Sequence, residues 1–306
     1  MGDFCYDVGV MTEVQKLEKL LNAVSAYYKK EGRHELPWRK TRDPYHILVS
    51  ELMLQQTQVA RVVPKYAPFL KIFSSFRSLG EASFPKVLGE WSGLGYNRRA
   101  KYLHQAAKIV TEKYAGIMPK TAEEIEALPG VGNYTARAVM AFAYNQPVVF
   151  IETNIRTVFT HLYFSHRARV TLATKQKVSD KELLSLIEKA LALAQRQGIE
   201  PRDFYAALMD YGSHLKSSGV KVNSKSSHYT KQSKFAGSPR QLRGALIREL
   251  LQGSATFPRL VKNISKTITR KNLVAELGLE LEKLETEEMV FKKAQKYGIA
   301  HTVHKS

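Results

Sequence analysis

The sequence predicts an all-α fold, because apolar residues recur at helical spacing along most of the chain while period-two alternation is scarce. Three runs show this spacing most clearly: Leu17, Leu20, Leu21 and Val24; Val62, Tyr66, Phe69 and Leu70; and Leu103, Ala106, Ala107 and Val110. Prolines and glycines interrupt the pattern at intervals that suit helices of ordinary length. We therefore expect one large helical domain over about residues 1–212.

The composition changes after this domain. Residues 213–248 carry eight Lys or Arg and no Asp or Glu. We interpret 213–238 as a basic linker, which either binds phosphate or is a disordered remnant. Residues 239–306 then form a small C-terminal helical module, in which helix-patterned runs at 241–251, 257–267 and 271–277 suggest a winged-helix-like arrangement.

The charge of the chain indicates a polyanionic partner. Lys and Arg number 47 against 28 Asp and Glu, which gives a formal net charge of +19. Nucleic acid is favoured over an anionic membrane, because no apolar run of about 18 residues is present. The N-terminus lacks a secretory pattern, so we expect a soluble, intracellular (cytoplasmic or nucleoid-associated) protein. The single cysteine, Cys5, excludes internal disulfides and any four-cysteine metal site.

The segment Leu128-Pro129-Gly130-Val131-Gly132 is the most informative motif. Its two glycines permit left-handed backbone angles, and the helix that follows at 133–144 would present its N-terminal amides to a phosphate. An ordinary connection between two helices is the alternative interpretation.

Glu51 lies in a predominantly apolar helical run from about residue 45 to 59. Partial burial there would favour its protonated form and suit a general acid. A solvated surface charge is the alternative. Gln55, Gln56 and Thr57 follow at the end of this helix, where their polar groups could fill the gap left by a displaced base.

A third motif, Trp91-Ser92-Gly93-Leu94-Gly95-Tyr96-Asn97-Arg98-Arg99, places an aromatic ring directly before two cations. Tyr96 could wedge between bases while Arg98 or Arg99 meets phosphate. The alternative is a helix-capping turn with a core tyrosine.

Together these motifs resemble the helix–hairpin–helix DNA glycosylases of the endonuclease III superfamily, and most closely the MutY-type adenine glycosylases. The resemblance covers about residues 30–212 through LPWR, SELMLQQTQV, WSGLGYNRRAKYLHQAA, LPGVGNYTA and a Glu-x-Asn element at 152–154. It implies a two-lobed fold, with a six-helix lobe at about 37–147 and a second lobe from about 10–36 plus 148–212.

The resemblance also implies roles for individual residues. Glu51 corresponds to the general acid that protonates adenine, and Tyr134 and Asn154 support the reacting centre. Tyr134 stands where strand-cutting relatives place a lysine, which implies a monofunctional glycosylase. DNA contacts are expected from Gln55, Gln56, Thr57, Tyr96, Arg98, Arg99, Gly130, Val131, Gly132 and Thr135.

Two departures from the family pattern stand out. Glu152 replaces the aspartate that stabilises the cationic sugar, and its extra methylene moves the carboxylate by about 1.5 Å. Relatives also follow an AL-MD-x-G segment with four cysteines that hold an iron–sulfur cluster, whereas Lys216 stands near the first expected cysteine here. We therefore expect no metal, no cluster and no other cofactor.

The predicted function is base excision repair by a monomeric enzyme on double-stranded DNA with a mispaired or damaged base. Adenine opposite guanine or 8-oxoguanine would be removed, with Glu51 as the acid and Glu152 as the ionised stabiliser of the sugar in one cavity. A G:T or G:U mismatch thymine or uracil glycosylase and a non-catalytic DNA-damage-binding protein are the alternatives.

Overall fold

The computed structural model describes residues 11–163, 178–220, 235 and 237–301. Over these residues the chain forms two compact units. The first unit comprises Met1–Glu35 and Met140–Thr230, and the second comprises Leu36–Val139 and Lys231–Ser306. Helices dominate both units, which confirms the predicted fold class. No helix in the described ranges is both long and apolar enough to span a membrane.

The first unit is built from helices that pack around the helix at Pro201–Ser217. Their bounds are α1 Glu13–Glu31, α9 Thr153–Val158, α10 Asp180–Arg196 and α11 Pro201–Ser217, with a π-helical turn at Phe159–Tyr163 after α9. Thr12 begins α1 with a capping box, since its side chain accepts from the amide of Gln15 and the Gln15 side chain accepts from the amide of Thr12.

The second unit carries most of the predicted motifs. Its helices before the C-terminal module are α2 Pro44–Leu54, α3 Val59–Ile72, α4 Phe76–Gly80, α5 Phe84–Glu90, α6 Arg98–Lys113 and α7 Ala122–Glu126, with a 3₁₀ turn at Pro37–Arg39 before them. Helix α8, Asn133–Tyr144, begins in this unit and ends in the first. Asp43 caps α2 by accepting from the amide of Tyr45 at 2.8 Å, and Pro44 occupies the first helical position.

The C-terminal module contains strands that the sequence analysis missed. Helices α12 Pro239–Leu251, α13 Phe257–Ser265 and α14 Leu273–Thr286 are joined by β1 Ala255–Thr256, β2 Val290–Lys293 and β3 Lys296–Ile299. The antiparallel sheet has the order β1-β3-β2. The predicted winged-helix-like module of helices therefore also contains three short strands, which the helical pattern of the sequence does not indicate. The turn between β2 and β3 contains Ala294, whose φ is +53°. It lacks the Asn-Gly or Asp-Gly sequence that is typical of such turns.

The predicted start of the basic linker at residue 213 was also wrong. Helix α11 continues to Ser217, because Leu208, Gly212 and Leu215 extend its buried face by another turn. Residues 221–234, the centre of the predicted linker, lie outside the described part of the chain.

Candidate active site

Glu51 is a buried carboxylate on a helix that is itself buried. Every residue of α2 from Tyr45 to Met53 is buried except His46. Only 7% of Glu51 is exposed. The hydroxyl of Tyr134, in the first turn of α8, donates to Glu51 Oε2 at 3.0 Å. Glu51 is therefore not a solvated surface charge, and it is in direct contact with Tyr134, another of the residues that the resemblance assigned to the reaction.

Arg99 holds the C-terminal end of this helix. Its Nη1 donates to the carbonyl oxygens of Leu52 at 2.7 Å, Met53 at 2.9 Å and Gln55 at 2.6 Å. The carbonyls of Leu52 and Met53 lack amide partners further along the helix, because α2 ends at Leu54. The Gln55 carbonyl also accepts from Thr57 Oγ1 at 3.4 Å. A cation at this end also opposes the negative pole of the helix dipole. Arg99 thus fixes the end of the helix that carries Glu51.

The prediction that Arg99 contacts phosphate was wrong. Only 7% of the residue is exposed, and its Nη2 donates to Thr57 Oγ1 at 2.9 Å and to the Gly95 carbonyl at 3.0 Å. Burial lowers the pKa of Arg99 to about 10, with a further lowering from Arg61 and an opposing effect of Tyr96. The guanidinium remains charged at neutral pH and serves the protein interior. Thr57 is part of the same network and is not simply a DNA contact.

The left-handed backbone predicted for the hairpin between α7 and α8 is present at Gly130 and not at Gly132. Gly130 has a φ of +74°, and a Cβ there would lie 2.6 Å from Tyr102 Cβ. A Cβ at Gly132 would meet nothing within 4 Å, so this glycine faces open space beside the start of α8. Val131 does not fit its predicted role, because its amide donates to the Leu128 carbonyl at 3.1 Å and its side chain is buried.

Gln55 joins the end of α2 to the hairpin. Its Nε2 donates to Thr135 Oγ1 at 3.3 Å and, in a long contact of 3.5 Å, to the Gly130 carbonyl. Thr135 is only 2% exposed, so the predicted DNA contact was wrong and the residue positions Gln55 instead. Gln56 is exposed and has a φ of +54°, which is uncommon for a residue with a side chain.

Tyr96 is a half-buried ring with a left-handed backbone, at a φ of +49°. The guanidinium groups of Arg99 and Arg240 lie 5.3 Å and 5.5 Å from its ring centroid. Arg240 Nη1 also donates to the tyrosine hydroxyl at 2.7 Å. Neighbouring Arg98 is half exposed and forms an ion pair with Glu287. Arg240 is not predicted by the sequence, because nothing in its local pattern links α12 to a tyrosine 144 positions earlier.

In the first unit, Glu152 caps helix α9. Its Oε1 accepts from the amides of Asn154 at 2.7 Å and Ile155 at 2.9 Å, and Asn154 Nδ2 donates to Oε2 at 3.3 Å. Desolvation raises the pKa of Glu152, while these donors and the positive charge of Lys216 oppose that rise. Glu152 and Asn154, the predicted pair, are therefore in contact.

Asn154 has a buried oxygen that needs a partner. Its Oδ1 has no hydrogen-bond partner among the described residues, which is rare for a buried polar atom. Helix α11 packs directly against this residue, since a Cβ at Gly212 would lie 2.3 Å from the Asn154 carbonyl oxygen. One turn further along α11, Lys216 lies near enough for its charge to interact with Glu152.

Comparison with known proteins agrees with this arrangement. A model of the HhH-GPD superfamily of base excision DNA repair proteins matches residues 49–189. The adenine DNA glycosylase of Mycolicibacterium smegmatis is 33% identical over 244 residues, covering 74% of this chain and 78% of that protein. The chain therefore belongs to the HhH-GPD base excision DNA repair superfamily.

Other adenine DNA glycosylases are also similar to this chain. The adenine DNA glycosylase of Buchnera aphidicola subsp. Baizongia pistaciae is 34% identical over 202 residues, covering 66% of this chain and 53% of that protein. The human adenine DNA glycosylase is 32% identical over 211 residues, covering 65% of this chain and 36% of that protein. The chain thus spans about half the length of the Buchnera protein and about a third of the length of the human protein. The similarity confirms the MutY-type resemblance.

Solved structures agree on the fold. A thermostable thymine-DNA glycosylase superposes with a TM-score of 0.57 at 25% identity, covering 71% of this chain and 97% of that one. An endonuclease III trapped on DNA gives a TM-score of 0.51 at 19% identity, covering 76% and 94%.

Proposed function

We propose that this protein is a DNA glycosylase that hydrolyses the N-glycosidic bond of adenine mispaired with guanine or 8-oxoguanine. One observation carries the proposal: the buried carboxyl group of Glu51 is hydrogen-bonded to Tyr134, in the first turn of the helix that the hairpin opens. The adenine glycosylase relatives support adenine as the substrate. The excess of cations in the sequence supports double-stranded DNA as the partner.

Glu51 is proposed as the general acid. Protonation of the adenine ring lets the base leave with the electron pair of the N-glycosidic bond, and the resulting carboxylate then takes a proton from the attacking water. A buried carboxyl group suits the first step, because burial disfavours its charged form. Tyr134 donates to the carboxylate and would stabilise it after proton transfer.

Glu152 is proposed as the anion that stabilises the cationic sugar. This role requires its ionised form, yet burial raises its pKa. The amides of Asn154 and Ile155 and the charge of Lys216 favour ionisation and support the role. The buried Asn154 Oδ1 supplies an acceptor for the sugar or for the attacking water. That Glu51 and Glu152 act on the same nucleotide stays a prediction.

We further propose that base removal is not coupled to strand cleavage. A lyase step needs an amine that forms a Schiff base, and Tyr134 stands at the position of the family lysine. We also propose that the monomer works without an iron–sulfur cluster, since one cysteine cannot supply four thiolates.

Excision assays test the proposal. Duplexes with adenine opposite guanine or 8-oxoguanine, and with thymine or uracil opposite guanine, are incubated with the protein and then treated with alkali to cut abasic sites. Release of adenine alone is the expected result, and strand breaks should appear only after alkali. Release of thymine, which the likeness to a thymine-DNA glycosylase favours as the second candidate, would contradict the substrate assignment. Binding without excision would support the non-catalytic alternative.

A further inference from the structure

The second unit contains a cavity that the C-terminal module helps to form. Its volume is about 680 Å³, which lies within the range of small-molecule and nucleotide sites. One wall consists of the end of α2 and the turn before α6, including Gln55, Gln56 and Tyr96. The facing wall is helix α12, including Arg240, Gly244 and Arg248. We call this space the arginine cavity.

The charge of the arginine cavity selects an anion. Six arginines and one glutamate are among its described lining residues: Arg61, Arg98, Arg99, Arg240, Arg243, Arg248 and Glu287. Glu287 is already occupied by ion pairs with Arg98 and Arg243, so it compensates those two cations. Arg248 on α12 is exposed. Arg99 is bound to the carbonyls at the end of α2, so Arg240 and Arg248 are the cations with which α12 faces the cavity.

Gly244 provides an independent observation. It lies in the middle of α12, where glycine is less favourable than alanine. Close packing does not require it, because a Cβ there would meet only the far end of Arg248, 3.6 Å away. A small residue at this point keeps the wall of the cavity open, as is typical where a backbone or a ligand approaches closely.

The opposite wall contains backbone strain. Gln56 and Tyr96 both have positive φ angles, at +54° and +49°, although neither is glycine. They are two of the six non-glycine residues with a positive φ in the described part of the chain, and both line this wall. Arg240 links this wall to α12 through its hydrogen bond to the Tyr96 hydroxyl.

We propose that the arginine cavity binds a phosphodiester of the DNA backbone, and that α12 of the C-terminal module provides Arg240 and Arg248 for this contact. The inference rests on the proposed function, because it takes DNA as the ligand. It assigns substrate binding to a module that lies outside the matched family region at residues 49–189. Gly244 allows the sugar–phosphate chain to approach the helix backbone.

Three variants test the proposal. Arg248→Gln removes one cation from the cavity, and Gly244→Leu fills it while favouring the helix. Arg259→Gln on α13 is the matched control, because it removes an exposed cation of the same module that does not line the cavity. Binding of a fluorescent duplex is followed by anisotropy at several salt concentrations, and the melting temperature of each variant is measured.

Arg248→Gln should weaken DNA binding about fivefold at ~0.15 M salt and lower the slope of log K against log salt by about 0.9, the effect of one lost phosphate contact. Gly244→Leu should weaken binding without lowering the melting temperature. Arg259→Gln should change neither quantity. Equal slopes for the two Gln variants, or full affinity of Gly244→Leu, would overturn the proposal.

Titration with AMP separates a phosphodiester site from a pocket for a free nucleotide. Saturable AMP binding that Gly244→Leu abolishes, with unchanged affinity for the duplex, would overturn the proposal. The excision assay separates this inference from the proposed function. If the protein releases adenine but the cavity variants bind the duplex with unaltered affinity, only the cavity inference is contradicted. If the variants weaken binding as predicted but the protein excises no base, only the proposed function is contradicted.

Discussion

Substitution of Arg99 by Met tests the structural basis of the Glu51 position. The change keeps a long side chain but leaves the carbonyls of Leu52 and Met53 without their donor, and the Gln55 carbonyl keeps only the long contact from Thr57 Oγ1. An unsatisfied buried acceptor costs about 1–3 kcal/mol, and partial access of water to Gln55 reduces the sum. We therefore expect a loss of about 3–5 kcal/mol in the free energy of unfolding, as for other broken buried charge networks.

The adjacent residue supplies the control. Arg98→Met removes the same group from a side chain that is half exposed and paired with Glu287, so its loss should be below about 1 kcal/mol. Urea unfolding followed by circular dichroism measures both variants. If the two midpoints agree to within experimental error, the carbonyls do not depend on Arg99 and the proposed anchoring of α2 is wrong.

Three further predictions concern the hairpin and the first unit. Gly130→Ala should lower the free energy of unfolding by about 2–4 kcal/mol, because the residue has a left-handed φ and its new Cβ would contact Tyr102. Gly132→Ala should leave stability unchanged and weaken DNA binding. Urea unfolding measures the stability of both variants, and anisotropy measures their DNA affinity. Lys216→Met should raise the pKa of Glu152 further, so the acidic limb of the pH–rate profile moves to higher pH and activity falls first at low pH; an unmoved limb would refute this interaction. Glu152→Asp should preserve α9, because aspartate is also a good N-cap, and should keep or raise the excision rate; a collapse of the rate with intact circular dichroism would show that the site is built around glutamate.

The features that local pattern determines could be predicted from the sequence. Helical spacing predicted the fold class. The apolar run around Glu51 left partial burial and a surface charge as alternatives, and the structure shows burial. The positive φ of Gly130 followed from the hairpin motif. Each of these depends on neighbouring residues alone, or on a motif whose geometry is fixed by glycine.

Features that depend on distant contacts were missed. Arg99 was interpreted as a surface cation, because its acceptors lie 44 to 47 positions earlier in the chain. Thr135 was interpreted as a DNA contact, yet its partner Gln55 lies 80 positions away. The hairpin of β2 and β3 was not predicted, because strands of only four residues are too short for an alternation of apolar and polar residues to be distinguished from chance.

The proposed reaction depends most on Glu51 as the acid that releases adenine. Single-turnover excision on a duplex with adenine opposite 8-oxoguanine measures this step, with DNA affinity determined in parallel by anisotropy. Glu51→Gln should reduce the rate at least ~100-fold with unchanged affinity, the range for loss of a general acid. Tyr134→Phe keeps the ring and loses only the hydrogen bond, so it should cost about tenfold. Excision by Glu51→Gln at a rate near that of the unaltered protein would contradict the account.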